Sequence, residues 1–295
     1  IRETDMLKDT KANKVFLIIR VVLLALGFTA SRGWNVLTRN SRANQSIAFS
    51  TTDSLKVSTI SNDIVIEVDN TAKGASVSIG KHESDLLSVS KTARSLNVDV
   101  KPKKSWFFRF FSYSPSAVVI TLPAARLEEL ELSSISGNIR ILHPIQGRSM
   151  QARSTSGELD FLTLTAEQDI KLSSISGTIK GSEAVGKRSV ELASTSGGIE
   201  VQRVEAQDAK LKSISGSVEA EVKILDGGSL NAASTSGSVH IDLKLSTDLK
   251  IQASTTSGQV AINDNDMGKS AAVETGSARN KVVLSTVSGG IELWY

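Results

Sequence analysis

One phrase, Ser/Thr-x-Ser-Gly, recurs along this 295-residue chain and closes at Gly137, Gly157, Gly177, Gly197, Gly216, Gly237, Gly258 and Gly289. The successive spacings are 20, 20, 20, 19, 21, 21 and 31 residues. A near-constant period of this length is the mark of stacked coils. Around each phrase, short runs such as "VELAS" before Gly197 and "GGIEV" after it alternate apolar and polar residues and are rich in β-branched side chains. That is the period of a strand and not of a helix. Each unit therefore reads as strand, Ser-Gly bend, strand, turn. The predicted fold is all-β, a β-solenoid of about 20-residue coils over residues 51–295.

The side-chain phase supports a corner. Val190 and Leu192 are the apolar set before the bend, and Ile199 and Val201 the set after it, so the parity flips at Ser196-Gly197. A straight strand keeps its phase, because a one-residue slip exchanges its faces. A bend at glycine keeps both sets inside. Ser194 and Ser196 are expected to point inward, small enough for a crowded corner, with hydroxyls bonding along a column. The residue two before glycine alternates: Ile135, Thr155, Ile175, Thr195, Ile214, Thr235. The expectation is two units per turn, on opposite sides, with Ile and Thr in separate columns. The alternative is one unit per turn, with both in one column. The first unit is degenerate: "LKVSTISNDIVIEV", residues 55–68, has Asn62 in the glycine place, and Asn tolerates left-handed backbone better than most residues.

Composition agrees. Hydrophobic residues make up 40% of the chain but aromatics only 4%, which suits small repeated layers better than a core of large side chains. The absence of cysteine excludes disulfides, thiolate metal sites and cysteine nucleophiles. Residues 1–50 carry eight basic and three acidic side chains, leaving 26 basic and 28 acidic for the body. A near-neutral body lacks the basic face that phosphate neutralisation requires, so no nucleic-acid partner is expected.

The basic N-terminal segment contains "VFLIIRVVLLALGFTA", residues 15–30, apolar apart from Arg20 and Thr29. It is slightly short of the roughly 20 residues that span a bilayer, but Arg20 lies near one end and its long side chain reaches an interface. The expected organisation is an N-terminal tail over 1–14, a transmembrane helix over 15–31 in contact with membrane lipid, and a linker over 32–50. A cleaved secretion signal and an in-plane helix are the alternatives. A short basic tail favours a cytoplasmic N-terminus. The sequence opens on Ile1 rather than Met, which leaves room for residues upstream.

"KPKKSWFFRFFSYSPS", residues 101–116, interrupts the strand pattern. Trp106, Phe107, Phe108, Phe110, Phe111 and Tyr113 are interleaved there with Arg109 and three lysines. Aromatic rings favour the headgroup region and lysines favour anionic lipid, so the insertion is a candidate membrane or partner contact. Covering one open end of the stack is the competing role.

Motifs for chemistry are weak. "GSEAVGKRS", residues 181–189, has phosphate-loop spacing but Arg188 where Ser or Thr is needed. "NDNDMGKSAAVE", residues 263–274, resembles a calcium loop but places Asn263 and Met267 where oxygen-rich ligands belong. "SVSK", residues 88–91, matches an acyl-transfer spacing on a strand rather than a helix. His82, His143 and His240 have no ligand-like spacing. Glu158, Glu191, Glu200 and Glu219 fall on presumed outward positions, unlike the clustered carboxylates of a polysaccharide-cleaving groove. Neither a catalytic residue nor a cofactor is assigned.

The units "LELSSISGNIRI" and "VELASTSGGIEV", the strand ending in "TLP" before the array, and the degenerate "ISND" unit together resemble a known family, the bacterial putative-adhesin domains of unknown function. The resemblance covers roughly residues 50–295; the insertion at 101–116 departs from its pattern. It implies a β-solenoid and a bacterial, membrane-associated, non-enzymatic scaffold. The expected role is a single-pass, extracytoplasmic module at the cell envelope that acts on partner proteins or copies of itself, homo-oligomers included. Glycan or surface binding through the Ser/Thr column is the alternative.

Overall fold

The computed structural model describes residues 47–79, 85–102, 117–244 and 247–295, and among them there is no helix. Residues 15–31, nearly all of the 32–50 linker and the aromatic core of the insertion, 103–116, lie outside the described residues. Among the described residues no helix is long and apolar enough to cross a membrane.

The body is a stack of coils. The strand preceding each corner forms one continuous parallel ladder. Ser54–Thr59 pairs with Glu129–Ser133, and that with Ser149–Arg153 and then Asp169–Ser174. The ladder continues through the later halves of Ile179–Ser194, Ile199–Lys212 and Val218–Ala233. Register is kept throughout, so like residues stack: Leu132, Ala152, Leu172, Leu192, Leu211 and Ala232 form one buried file. Each leucine of the file contributes roughly 1.5–3 kcal/mol by leaving water, but only because a neighbouring layer covers it.

One 20-residue unit makes one layer, which corrects the expectation of two. A Cβ built on Gly177 would lie 1.6 Å from the carbonyl oxygen of Gly157, and one on Gly197 would lie 2.3 Å from that of Gly177. Gly216 and Gly237 repeat the relation with their predecessors. The glycines therefore stand in a single file, and Ile and Thr share one outward column. Both arrangements alternate identically along the chain, so side-chain phase does not distinguish them.

The second face begins at Ile139–Ile141, Leu159–Ala166 and the first halves of the long strands. In three layers it bends again. Phe161 and Leu164 are both inward, as are Gly181 and Ala184, and Val201 and Val204; Gln202 has no partner in the next strand and is a bulge. Val218–Ala233 keeps strict alternation and lacks the extra residue. The variation between 19 and 21 residues per coil is absorbed at this bulge and at the turns around 186–189 and 225–228.

Both ends depart from sequence order. The coil ending in Asn280–Thr286 and Ile291–Trp294 lies between the Gly237 coil and the earlier coil built on Leu249–Thr255 and Val260–Ile262. At the other end Ser54–Thr59 lies between Ser95–Pro102 and Glu129–Ser133. The chain thus runs outward, turns back through antiparallel strands and re-enters the stack. Ser270–Glu274 and Asp85–Lys91 are those antiparallel strands, and each covers an outermost coil. Twelve strands in this ladder, at about 4.8 Å per step, give a body about 50 Å long.

Candidate functional site

The corner is built from two serines with different tasks. The first is buried. Ser194 Oγ accepts the Gly197 amide at 3.0 Å and donates to the Gly177 carbonyl at 3.1 Å in the layer before. Ser213 does the same with Gly216 and Gly197, Ser234 with Gly237 and Gly216, and Thr255 with Gly258 and Gly289. One hydroxyl closes its own corner and fastens it to the next, as expected for Ser194. Ser196, expected to point inward, is exposed; the parity flips one residue earlier than the phase argument placed it. The corner glycines Gly137, Gly177, Gly197, Gly216, Gly237, Gly258 and Gly289 all have negative φ or extended backbone. Glycine is demanded there by close approach, because a side chain would collide with the adjacent layer. Asn62 continues the file next to Gly137 without left-handed backbone.

The outer corner carries two adjacent columns. Ser136, Ser156, Ser176, Ser196, Ser215, Ser236, Ser288 and Ser257 form one, each amide donating at 2.8–3.0 Å to the carbonyl one layer below. The other reads, in spatial order, Ile60, Ile135, Thr155, Ile175, Thr195, Ile214, Thr235, Val287, Thr256, and alternates from Ile135 onward. Alternation persists through the two exchanged coils, although in chain order Thr256 precedes Val287. The aliphatic members are exposed, Ile175 and Ile214 at 51% each. On the flanks, Ser173, Ala193, Lys212, Ala233, Ser285 and Ser254 run along one side, and Thr178, Gly198, Ser217, Ser238, Gly290 and Gln259 along the other. Across these six layers Lys212 is the one charge.

Charge sits elsewhere, and it is paired. Glu191 lies between Lys171 and Lys210, whose ammonium groups hold its carboxyl below the usual range. Arg188 holds Asp169 below its usual range and is itself raised by it. Glu200 pairs with Lys180, and Glu219 faces His240 across one rung. Glu158 is exposed, so none of the four acids enters a common groove. Among the described residues no group of three or more His, Asp or Glu side chains is arranged to hold a metal ion.

The motif candidates resolve into structure. Residues 181–189 run as extended strand within Ile179–Ser194. Residues 263–274 form a reversing turn: Asn263, Asp264 and Gly268 have positive φ, and Asp266 Oδ1 accepts the Gly268 amide at 2.7 Å. Residues 88–91 lie in the strand Asp85–Lys91, where Lys91 pairs with the buried Asp53. His143 accepts the Val68 amide, and His240 lies 3.0 Å from Glu292.

Trp106, Phe107, Phe108, Arg109, Phe110, Phe111 and Tyr113 lie outside the described residues, but both points where their segment leaves the body are described. It joins Ser95–Pro102 to Val118–Leu122, the two strands of the outermost coil, and so departs from that coil's corner. Ile47, where the chain enters from the N-terminal segment, pairs with Ala75 beside Ser76–Ile79, which covers the same coil.

The protein family described as Toastrack DUF4097 matches residues 52–293. No curated protein matches the chain. A solved putative adhesin from Bacteroides fragilis is similar at 15% identity and a TM-score of 0.47, over 88% of this chain and 97% of that one. A putative cell adhesion protein from Clostridium sporogenes is similar at 9% identity and a TM-score of 0.26, over 85% and 96%. A protein from Parabacteroides distasonis named a putative lipid binding protein has 15% identity and a TM-score of 0.34, over 84% and 95%.

Proposed function

This chain belongs to the Toastrack DUF4097 family, and from that premise we propose that it is a non-catalytic scaffold of the bacterial envelope, a stiff rod that presents its flanks to partner proteins or to copies of itself. Its apolar segment 15–31 anchors it as a single membrane span, with the rod on the extracytoplasmic side. One observation carries the reading. The N-terminal entry at Ile47 and the departure points of the aromatic insertion, at Pro102 and Ala117, belong to the same end of the stack. A chain held by its N-terminal segment brings that end to the bilayer. Trp106, Phe107, Phe108, Phe110, Phe111 and Tyr113 then meet the headgroups, with Arg109 and the neighbouring lysines toward anionic lipid. The paired acids of the flanks support a non-enzymatic role, since each cited carboxylate pair satisfies its own charge rather than converging on a groove.

Flotation with anionic liposomes tests the orientation. A body starting at residue 47 binds them, and Trp106→Ala with Phe108→Ala weakens binding about tenfold. Equal binding by both removes the insertion from the membrane and leaves it as the cover of the outermost coil. Protease added to intact spheroplasts cuts the rod of the full chain; protection until lysis reverses the sidedness.

A further inference from the structure

The column Ile135 to Thr256 alternates in space, and the fold does not ask it to. The buried Ser and the Gly each have a structural reason in layer after layer. The residue between the serines is solvent-facing, so Ile, Val and Thr serve the coil equally. Yet from Ile135 onward bulky and small members alternate over eight of the nine layers, in stacking order even where chain order is exchanged; Ile60, next to Ile135, lies outside the alternating run. Branched aliphatic knobs therefore recur every second layer, about 9.6 Å apart, separated by Thr.

Such a column is complementary to itself when turned end over end. Paired antiparallel about its midpoint, Ile135 meets Thr256, Thr155 meets Val287, Ile175 meets Thr235, and Thr195 meets Ile214. Every knob faces a gap. Parallel pairing in register would set knob against knob. Layers already stacked in register are the half of a dry, interdigitated contact of the kind that zippers identical strands. The flanks of the eight layers carry three charges, Arg153 and Glu158 beside Thr155 and Lys212 beside Ile214, so two flanks of low net charge approach. A glycan suits the strip less well, since it holds no aromatic ring for stacking. We propose that this strip is the contact by which two copies of the chain associate side by side and antiparallel along the corner.

The proposal rests on the scaffold reading and names its surface. The strip is about 34 Å by 10 Å, which buries roughly 700 Å² in total, below the ~1,000 Å² of a stable interface. The pairing is accordingly weak and concentration-dependent. Antiparallel rods on one membrane point in opposite directions, so the pair joins chains anchored in two facing membranes or two neighbouring cells.

The chain has no cysteine, so single thiols report the geometry. Full chains carrying Thr155→Cys and Val287→Cys are mixed in detergent with a short bismaleimide. The mixture gives cross-linked dimer at least tenfold above either chain alone, because Thr155 faces Val287 and lies five layers from its own copy. Adding Ile175→Lys and Ile214→Lys to both chains abolishes the product, while Leu162→Lys, equally exposed on another face, leaves it intact. No dimer in the mixture, or equal dimer from Thr155→Cys alone, overturns the proposal. Sedimentation of the cysteine-free full chain separates the two claims. If association survives Ile175→Lys with Ile214→Lys, the strip is wrong and the self-associating scaffold stands; if the chain is monomeric at every concentration, both fall.

Discussion

At the scale of the residue, the corner divides its work among three positions, and each answers to a different force. Gly197 is needed because a methyl there would sit 2.3 Å from the Gly177 carbonyl oxygen. Gly197→Ala must separate two layers, so it is expected to cost about 3 kcal/mol, the upper range for overpacking. Ser194→Ala leaves the Gly197 amide and the Gly177 carbonyl without their partner in a buried site, with an expected loss of about 1–3 kcal/mol. Ser196→Ala removes an exposed hydroxyl and stays within about 0.5 kcal/mol. Urea unfolding of the three variants checks the ranking; an equal cost for Ser194 and Ser196 would contradict the division. Glycine and the inner serine were legible from the repeated phrase, because a constraint imposed in every layer is written in every layer. The outward turn of Ser196 was not, since its parity matches that of an inward residue until the bend is placed to within one position.

At the scale of the element, the exchanged coils put the C-terminal residues one layer inside the stack. A terminal segment ordinarily frays. Here Val282 and Leu284 are buried between Leu230 and Ala232 on one side and Ile251 and Ala253 on the other. Hydrogen exchange at amides 281–286 is therefore expected to be as slow as at 229–233, and slower than at Ser270–Glu274 on the outer edge. Fast exchange at 281–286 would show that the last coil is an ordinary end. The turn that leads into it is held electrostatically. Asp248 accepts the amide and hydroxyl of Ser277 and faces Arg279, which lowers its pKa from 3.8 to about 2. A carboxyl with a depressed folded value contributes stability above its ordinary pKa and loses it as pH falls through the depressed one. Protection of the 277–280 amides, taken relative to intrinsic exchange at each pH, should fall between about pH 4 and pH 2, and Asp248→Asn should remove that dependence; an unchanged profile in the variant would place the transition elsewhere. Little of this was readable from the chain. The spacing of 31 residues between Gly258 and Gly289 announces an insertion, but a period records how many residues make a layer and not the order in which layers are stacked.

At the scale of the whole molecule, the body is a one-dimensional array whose layers interact chiefly with their neighbours. The strongest test of such an array changes which layers are neighbours. Removing residues 178–197 takes out one full period and joins Gly177 to Gly198. Because Ile179 and Ile199 occupy the same place in adjacent layers, the phase of every later strand is preserved. The deletion also replaces Gly181, against which the Phe161 ring lies, by Val201. All four proteins compared therefore carry Phe161→Val, and the shortened chain is then expected to fold. Its new interface sets Asp169–Ser174 against the later half of Ile199–Lys212. Lys171 then faces Lys210, where in the intact chain Glu191 stands between them and pairs with both. Like charges opposite one another in a sheet are destabilising by a fraction of a kcal/mol to about 1 kcal/mol. Lys210→Glu consequently has opposite signs in the two molecules. In the intact chain it places a carboxylate beside Glu191 and lowers stability by about 0.5–1 kcal/mol. In the shortened chain it gives Lys171 a partner again and raises stability by a similar amount. Thermal melting of the four proteins measures this reversal. If the substitution lowers the melting temperature in both, the coils are not interchangeable layers in register, and a description of the molecule as a stack of equivalent rungs does not hold.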